Sequence, residues 1–190
     1  IDAIANSFQV ILNINLPKGW YFPHKMRGNY WHVTTLYRGN KSFNEIENMM
    51  EYKQYVEDKK VFVCVIGMIY VPEGIMCMLV RLNDGIKVYG NYPHMTIIRN
   101  KYPPKYSNNV IKECMKYKEC REEYESVMNG ESDDIDTNDR KSKYYYGEFV
   151  RRRQITIDDC LVWSYFIIFD KPFEIQGFMH AFEKDDNDDE

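Results

Sequence analysis

A short pattern that occurs twice constrains this 190-residue chain more than any other feature. His32 and His94 are each followed two positions later by a threonine, Thr34 and Thr96, within runs of aromatic and β-branched residues. Such runs are typical of β-strands, in which the side chains at positions i and i+2 leave the same face. Each copy therefore pairs a group that can transfer a proton with one that can donate a hydrogen bond to an anionic oxygen. Two copies facing one another would form a site with an acid, a base and two donors.

The composition is that of a folded protein, because 44% of the residues are hydrophobic and 28% are charged. We expect a single two-lobed domain over residues 1–182, with an acidic insert at about 129–139 and an acidic tail at 183–190. Each acidic segment carries a net charge of −5, so the chain's −4 leaves +6 for the body. A mildly basic body suits an anionic ligand.

The sequence also predicts where the protein works and what it lacks. No apolar run approaches the roughly 20 residues that would span a bilayer, and the first residues lack the features of a signal peptide. We expect an intracellular protein with no membrane partner, cut from a longer chain because it lacks an initiator methionine. Five cysteines at irregular spacing predict free thiols rather than disulfides or a zinc site: Cys64, Cys77, Cys114, Cys120 and Cys160.

The order of predicted elements indicates an α+β fold made of two similar halves. Besides the strand at the second triplet, strands are predicted over residues 7–14, 29–37, 60–70, 75–82, 86–89, 143–153, 161–169 and 173–182. One helix follows each triplet, at 43–57 with a capping box from Ser42 to Glu45, and at 109–127 after the N-cap signal Ser107-Asn108. Neither a glycine-rich dinucleotide motif, nor a P-loop, nor H-E-x-x-H occurs, so no cofactor and no metal is expected.

The two triplets resemble motifs of the 2H phosphoesterase superfamily. The run HVTTLY at 32–37 is similar to the first motif of the vertebrate 2′,3′-cyclic nucleotide 3′-phosphodiesterase. The run HMTI at 94–97, with Pro104 and Ser107-Asn108 downstream, resembles the second motif of the cyclic phosphodiesterase domain of fungal-type tRNA ligases. The resemblance covers residues 30 to 182. It implies two lobes, each an antiparallel sheet with helices outside, and a central cleft in which the triplets meet.

The same resemblance implies a metal-independent hydrolase that opens 2′,3′-cyclic phosphates of RNA 3′ ends or nucleotides to 2′-phosphates, in RNA repair or tRNA splicing. An imidazole with an ordinary pKa near 6.5 can act as acid or as base near neutral pH. The resemblance makes His94 the base and His32 the acid, an order that the sequence itself does not give. Thr34 and Thr96 would donate hydrogen bonds to the phosphate oxygens. Ligase or kinase domains fused to this one are a further expectation.

Four residues beside the triplets are candidates for substrate binding. Tyr37 occupies the position of an aromatic residue that stacks on the base in the vertebrate enzyme, although simple packing at a strand end explains it equally well. Tyr92 stands where that enzyme has an arginine. Arg38 and Arg99 could contact the phosphate in its place.

Other residues and functions stay open. The basic run at 151–153 could contact RNA, although a solvated strand edge is the simpler interpretation, and the three tyrosines at 144–146 could stack on bases or pack. His180 alternates with Phe178 and Phe182, which favours a half-buried strand histidine. Two alternatives to the main function are a phosphodiesterase for 2′-5′ oligoadenylates or cyclic oligonucleotides, and a nucleotide-binding module without turnover.

Overall fold

A computed structural model describes residues 32–37, 39–83, 85–90, 92–99, 101–129 and 150–181. Within these ranges the fold is α+β, as predicted. The helices are α1 (Phe43–Glu47), α2 (Met50–Lys53), α3 (Tyr106–Cys114) and α4 (Lys118–Asn129). The strands are β1 (Lys60–Val71), β2 (Ile75–Leu82), β3 (His94–Arg99), β4 (Val150–Ile157) and β5 (Cys160–Phe178).

The described strands form one antiparallel sheet in the order β3-β2-β1-β5-β4. The strands predicted at 60–70 and 75–82 are confirmed as β1 and β2, which pair as an antiparallel hairpin. The last two predicted strands are a single strand, β5, which pairs with β1 between Tyr165 and Phe178 and with β4 nearer its start. The sequence predicted two sheets, and the residues that the structure describes contain one.

The sheet is buried on both faces, which explains why β1 and β2 are almost continuous apolar runs. One face packs against α3 and α4, where Leu79 and Ile66 meet Ile111 and Tyr124. The opposite face carries a second buried cluster that includes Met78, Met95 and Ile97. Their burial removes large apolar side chains from water and is the main favourable contribution to folding.

Close approach of the two longest strands requires a glycine in the middle of the sheet. The register of β1 against both neighbours shifts between Val65 and Gly67. A Cβ atom at Gly67 would lie 2.4 Å from the carbonyl oxygen of Ile167. Since real Cβ atoms do not approach a backbone oxygen that closely, this position excludes every other residue unless the backbone moves.

The predicted helices exist but are shorter than predicted. The helix predicted over 43–57 is two short helices, α1 and α2, and the capping box from Ser42 to Glu45 is confirmed. Ile46 is buried, whereas Phe43, Met50 and Val56 are exposed, so the apolar residues of this segment do not form one buried face. The helix predicted over 109–127 begins earlier, at Tyr106, and is divided between Cys114 and Lys118. Residues 86–89, predicted as a strand, have no strand structure.

The basic run at 151–153 is not the solvated edge that the sequence predicted. Arg151 and Arg153 are almost fully buried and form ion pairs with Glu123 and Glu119 of α4, each with a hydrogen bond of 2.6 Å. The guanidinium of Arg152 lies 3.8 Å from the centre of the Trp163 ring. These contacts tie α4 to the strand β4, so the run is a structural element of the core.

Several other predictions can be compared with the structure. All five cysteines are free, as predicted, and only Cys160 is exposed. None of the described helices combines the length and the apolar character that crossing a bilayer would require. The strand predicted at 7–14, the tyrosines at 144–146, and nearly all of the acidic insert and tail lie outside the described residues.

Candidate functional site

The second triplet lies on the edge strand of the sheet. β3 begins at His94, which pairs with Leu79 of β2, and Thr96 pairs with Cys77. Met95 belongs to the cluster on the opposite face, so His94 and Thr96 share the face that carries α3 and α4. For this copy the prediction of a strand, with both side chains on one face, is confirmed.

The environment of His94 defines its protonation state. The ring is half-buried, and its Nδ1 lies 2.8 Å from the carbonyl oxygen of Tyr92. Because a carbonyl oxygen can only accept, Nδ1 carries the hydrogen and Nε2 keeps a lone pair. Burial lowers the pKa of His94 below its ordinary value, against the opposing effect of the Tyr92 carbonyl, and the charge of His32 lowers it further. His94 is therefore neutral at neutral pH, with Nε2 able to accept a proton.

The hydroxyl of Thr96 is held by a residue from outside the triplet. Its Oγ1 lies 2.8 Å from the Oγ of Ser107, a fully buried side chain in the first turn of α3. The sequence predicted Ser107 as an N-cap, but Lys105 holds that position. Ser107 instead orients the threonine hydroxyl, a role that sequence reasoning missed. The one available signal was the Ser-Asn pair noted downstream of the second triplet.

The first triplet has a different structure. Residues 32–37 have no regular secondary structure, so the strand predicted there was wrong for the described part of it, and both His32 and Thr34 are exposed. Contacts of Val33 and Thr35 hold the segment. Val33 packs against the cluster on the opposite face of the sheet, and the carbonyl of Thr35 accepts a 2.7 Å hydrogen bond from the backbone N–H of Tyr89. The segment is thereby attached to the loop that leads into β3.

His32 contributes to the pKa shift of His94 despite the separation of the two residues in the chain. The positive charge of His32 disfavours a second positive charge on His94, which is why it lowers the pKa of His94. Like charges shift a pKa in this way when they are close enough to interact through the protein. The effect of His32 is the smallest of the three on His94, after burial and the Tyr92 carbonyl.

The predicted substrate-binding residues have separate locations. Tyr37 is 61% exposed and follows the first triplet. The ring of Tyr92 packs edge-on against Tyr124 at 5.5 Å, so its carbonyl rather than its ring meets His94. Arg99 belongs to β3 by its backbone. The side chain of Arg99 and the whole of Arg38 lie outside the part of the chain that the structure describes.

His180 is not the half-buried strand histidine that the sequence predicted. It follows the end of β5, is exposed, and bonds to Glu57 at 2.8 Å. The hydrogen bond to Glu57 raises the pKa of His180. Glu57, Asp58 and His180 place three ligand atoms within 4.8 Å of one another, the geometry in which a metal could be held. The ion pair explains this exposed cluster without one.

Comparisons with known proteins give a distant structural match. No protein-family model and no curated protein matches the chain. Among solved structures, the chain is similar to one titled "Crystal Structure of Fungal RNA Kinase", with 13% sequence identity and a TM-score of 0.42. The match covers 78% of this chain and 35% of that chain, so this chain spans about a third of the length of its structural match. A likeness at this level defines neither a family nor a function.

Proposed function

We propose that the protein is a metal-independent phosphodiesterase that hydrolyses 2′,3′-cyclic phosphates, at RNA 3′ ends or on nucleotides, to 2′-phosphates. The observation that carries the proposal is the geometry of the second triplet, in which His94 and Thr96 share one face of β3 and are held by the Tyr92 carbonyl and by Ser107, with a smaller charge effect of His32 on His94 beside it. An acid and a base near one another are the minimum that in-line displacement at phosphorus requires. The resemblance of both triplets to 2H phosphoesterases supports the same chemistry.

The protonation state of His94 supports its role as the general base. A neutral imidazole whose Nδ1 hydrogen bonds to the Tyr92 carbonyl has Nε2 free to take a proton from water. The resulting hydroxide attacks phosphorus as the bond from phosphorus to the 3′ oxygen breaks. In this proposal His32 gives its proton to the departing 3′ oxygen. The products are a 2′-phosphomonoester and a free 3′ hydroxyl.

The two threonines are proposed to stabilise the charge that grows on the non-bridging oxygens. Thr96 has its hydroxyl oriented by Ser107 before substrate arrives, so little reorganisation is needed during the reaction. When Ser107 donates its hydrogen to Thr96, the threonine hydrogen is available for the phosphate. Thr34 lies on the exposed segment and would supply the second donor from the side of His32.

The wider setting belongs to the same proposal. The described five-stranded sheet would be one of the two sheets of a two-lobed 2H fold. Tyr37 is proposed to contact the base, and Arg38 or Arg99 the phosphate. RNA repair or tRNA splicing in an intracellular compartment, within a longer protein that also carries a ligase or kinase domain, would supply such cyclic ends.

The test offers the purified chain three substrates in the presence of EDTA: 2′,3′-cyclic AMP, an oligoribonucleotide ending in a 2′,3′-cyclic phosphate, and 2′-5′ oligoadenylate. We expect ³¹P NMR to show a 2′-phosphate from the first two, with one oxygen from ¹⁸O-labelled water. His94→Ala and His32→Ala should each reduce turnover by about 10² to 10⁴-fold.

His180→Ala is the matched control, because this histidine is exposed and lies at the end of β5, and it should leave turnover unchanged. A 3′-phosphate product, or near wild-type turnover by either triplet variant, contradicts the proposal. Cleavage of 2′-5′ oligoadenylate alone would favour the alternative phosphodiesterase. Tight nucleotide binding without any product would favour the binding module.

A further inference from the structure

The loop that precedes β3 holds a tyrosine in a fixed place with its ring in solvent. The backbone N–H of Tyr89 bonds to the carbonyl of Thr35, which lies next to Thr34 of the first triplet. The side-chain amide of Gln54 bonds to both the N–H and the carbonyl of Lys87, at 2.7 and 2.6 Å. These hydrogen bonds fix the backbone of the loop at Lys87 and at Tyr89, yet the Tyr89 side chain is 51% exposed.

A lysine lies over this ring. The chain turns after the first triplet at Gly39, whose φ of +54° is a conformation that glycine adopts without strain. The turn returns Lys41 to the loop, where its ammonium group lies 4.3 Å from the centre of the Tyr89 ring. An exposed aromatic ring beside a cation is the combination that proteins use to bind single-stranded nucleic acid, the ring for a base and the cation for a phosphate.

We propose that Tyr89 and Lys41 form a subsite for the nucleotide next to the terminal one in a single-stranded RNA. The inference rests on the proposed function, because it takes the neighbouring triplets to hold the cyclic phosphate. The subsite stands beside the first triplet rather than within it, through the bond from Tyr89 to Thr35. It therefore serves an oligonucleotide and not a mononucleotide, and makes RNA ends the preferred substrate class.

The test measures binding, so that it does not depend on turnover. In a His32→Ala/His94→Ala background, fluorescence anisotropy gives the Kd of a labelled six-nucleotide single strand with a 2′,3′-cyclic phosphate end, and competition gives that of 2′,3′-cyclic AMP. Tyr89→Ala should weaken oligonucleotide binding about 5- to 150-fold, the usual range for loss of one base stack. Binding of the mononucleotide should change less than about 2-fold, because the stack that Tyr89→Ala removes involves a base that the mononucleotide lacks.

Three further variants sharpen the result. Tyr89→Phe keeps the ring and should retain the affinity. Lys41→Met should reduce the slope of log K against log salt concentration by about 0.7, the value for one phosphate contact on a single strand, and Lys41→Arg should restore it. Phe178→Ala is the matched control, because this ring is 54% exposed, lies at the far end of β5 and should not matter.

Equal weakening of oligonucleotide and mononucleotide by Tyr89→Ala would overturn the proposal, and so would an unchanged Kd for the oligonucleotide. The outcome is separate from that of the proposed function. If oligonucleotide binding depends on Tyr89 while the unmutated triplets hydrolyse no cyclic phosphate, the subsite stands and the phosphodiesterase proposal fails.

Discussion

The two triplets share a sequence pattern but differ in how the fold supports them. The second triplet belongs to a strand, its histidine is half-buried, and its threonine is bonded to a buried serine. The first has no regular secondary structure, and its histidine and threonine are exposed. A hydrogen bond from the backbone N–H of Tyr89 to the carbonyl of Thr35 holds the backbone of its segment. The second triplet therefore lies in a strand with a buried hydrogen bond, whereas the first lies outside regular secondary structure with its histidine and threonine exposed.

This difference shows how two histidines of one site can be suited to different roles, one as a base and one as an acid. A base must keep a fixed tautomer and a depressed pKa, and both need burial and a fixed partner, as His94 has. An acid that begins protonated needs access to solvent, because burial disfavours its charged form. The exposed position of His32 suits that second role. Under the proposed mechanism, this contrast would leave the base role to His94 and the acid role to His32.

We expect the largest loss of stability from Gly67→Ala, which disturbs the sheet to which the second triplet belongs. The added methyl group would meet the Ile167 carbonyl oxygen at 2.4 Å, so β1 and β5 would have to move apart. Overpacking of this kind costs about 3 kcal/mol of unfolding free energy. Urea denaturation followed by circular dichroism measures it.

Gly177→Ala is the control for that variant, because its added Cβ would meet Val61 at 3.8 Å, an ordinary contact. We expect its midpoint to stay close to that of the unmodified chain. Equal stability of the two glycine variants would show that the close approach of the strands at Gly67 does not constrain the sheet.

A smaller difference is expected between the two threonines. Thr96→Val removes the hydroxyl partner of Ser107, and should cost about 1 kcal/mol of stability because Ser107 is buried. The cost stays modest, since Ser107 also contacts the thiol of Cys77. Thr34→Val affects an exposed side chain and should change stability by less than about 0.5 kcal/mol.

The same two valine variants distinguish the contribution of each hydroxyl to stability from its contribution to turnover. If both hydroxyls contact the phosphate, both variants should lose turnover by about 10²-fold or more, although only one loses stability. Circular dichroism melts and initial rates of 2′,3′-cyclic AMP hydrolysis, taken on the same preparations, measure the two effects. A turnover loss confined to Thr96→Val would mean that the first triplet supplies no donor.

The sequence predicted the parts of this arrangement that depend on local patterns. The hairpin of β1 and β2 follows from two apolar runs around a Pro-Glu-Gly turn, and the capping box at Ser42 needs residues only three positions apart. The shared face of His94 and Thr96 follows from the period of a strand. These features require no knowledge of distant contacts.

What the sequence could not predict depends on packing between distant segments. Ser107 reaches Thr96 because α3 packs on the sheet against β2 and β4, so residues that suggested a helix cap instead make a contact in the core. In the sequence Arg151 and Arg153 resemble a basic surface, but in the structure they form ion pairs with Glu123 and Glu119 of α4. Residues 32–37 have the composition of a strand, but their observed anchors are Tyr89 and the apolar cluster beneath Val33.

The smallest expected effect, and the most direct test of whether the triplets meet, is a shift in one pKa. NMR titration of the histidine rings should give His94 a pKa below the ordinary 6.5, because of burial, and His180 a pKa above it, because of Glu57. Since an unfolded chain binds the His94 proton more readily, the stability that this residue confers is present above pH 6.5 and is lost as the pH falls toward its folded pKa. His180 has the opposite sign, because its contribution is present below pH 6.5 and is lost as the pH rises through its raised pKa.

His32→Gln removes the charge that opposes protonation of His94, so the pKa of His94 should rise in that variant. His180→Gln serves as the reference, since this histidine lies at the end of β5 and should leave the His94 titration unchanged. The comparison requires no substrate and no turnover, and it reports on the electrostatic interaction between the two imidazoles. A His94 titration that is the same in both glutamine variants would place the triplets too far apart to act on one phosphorus atom, because a charge near enough to share a phosphate must also be felt by its partner.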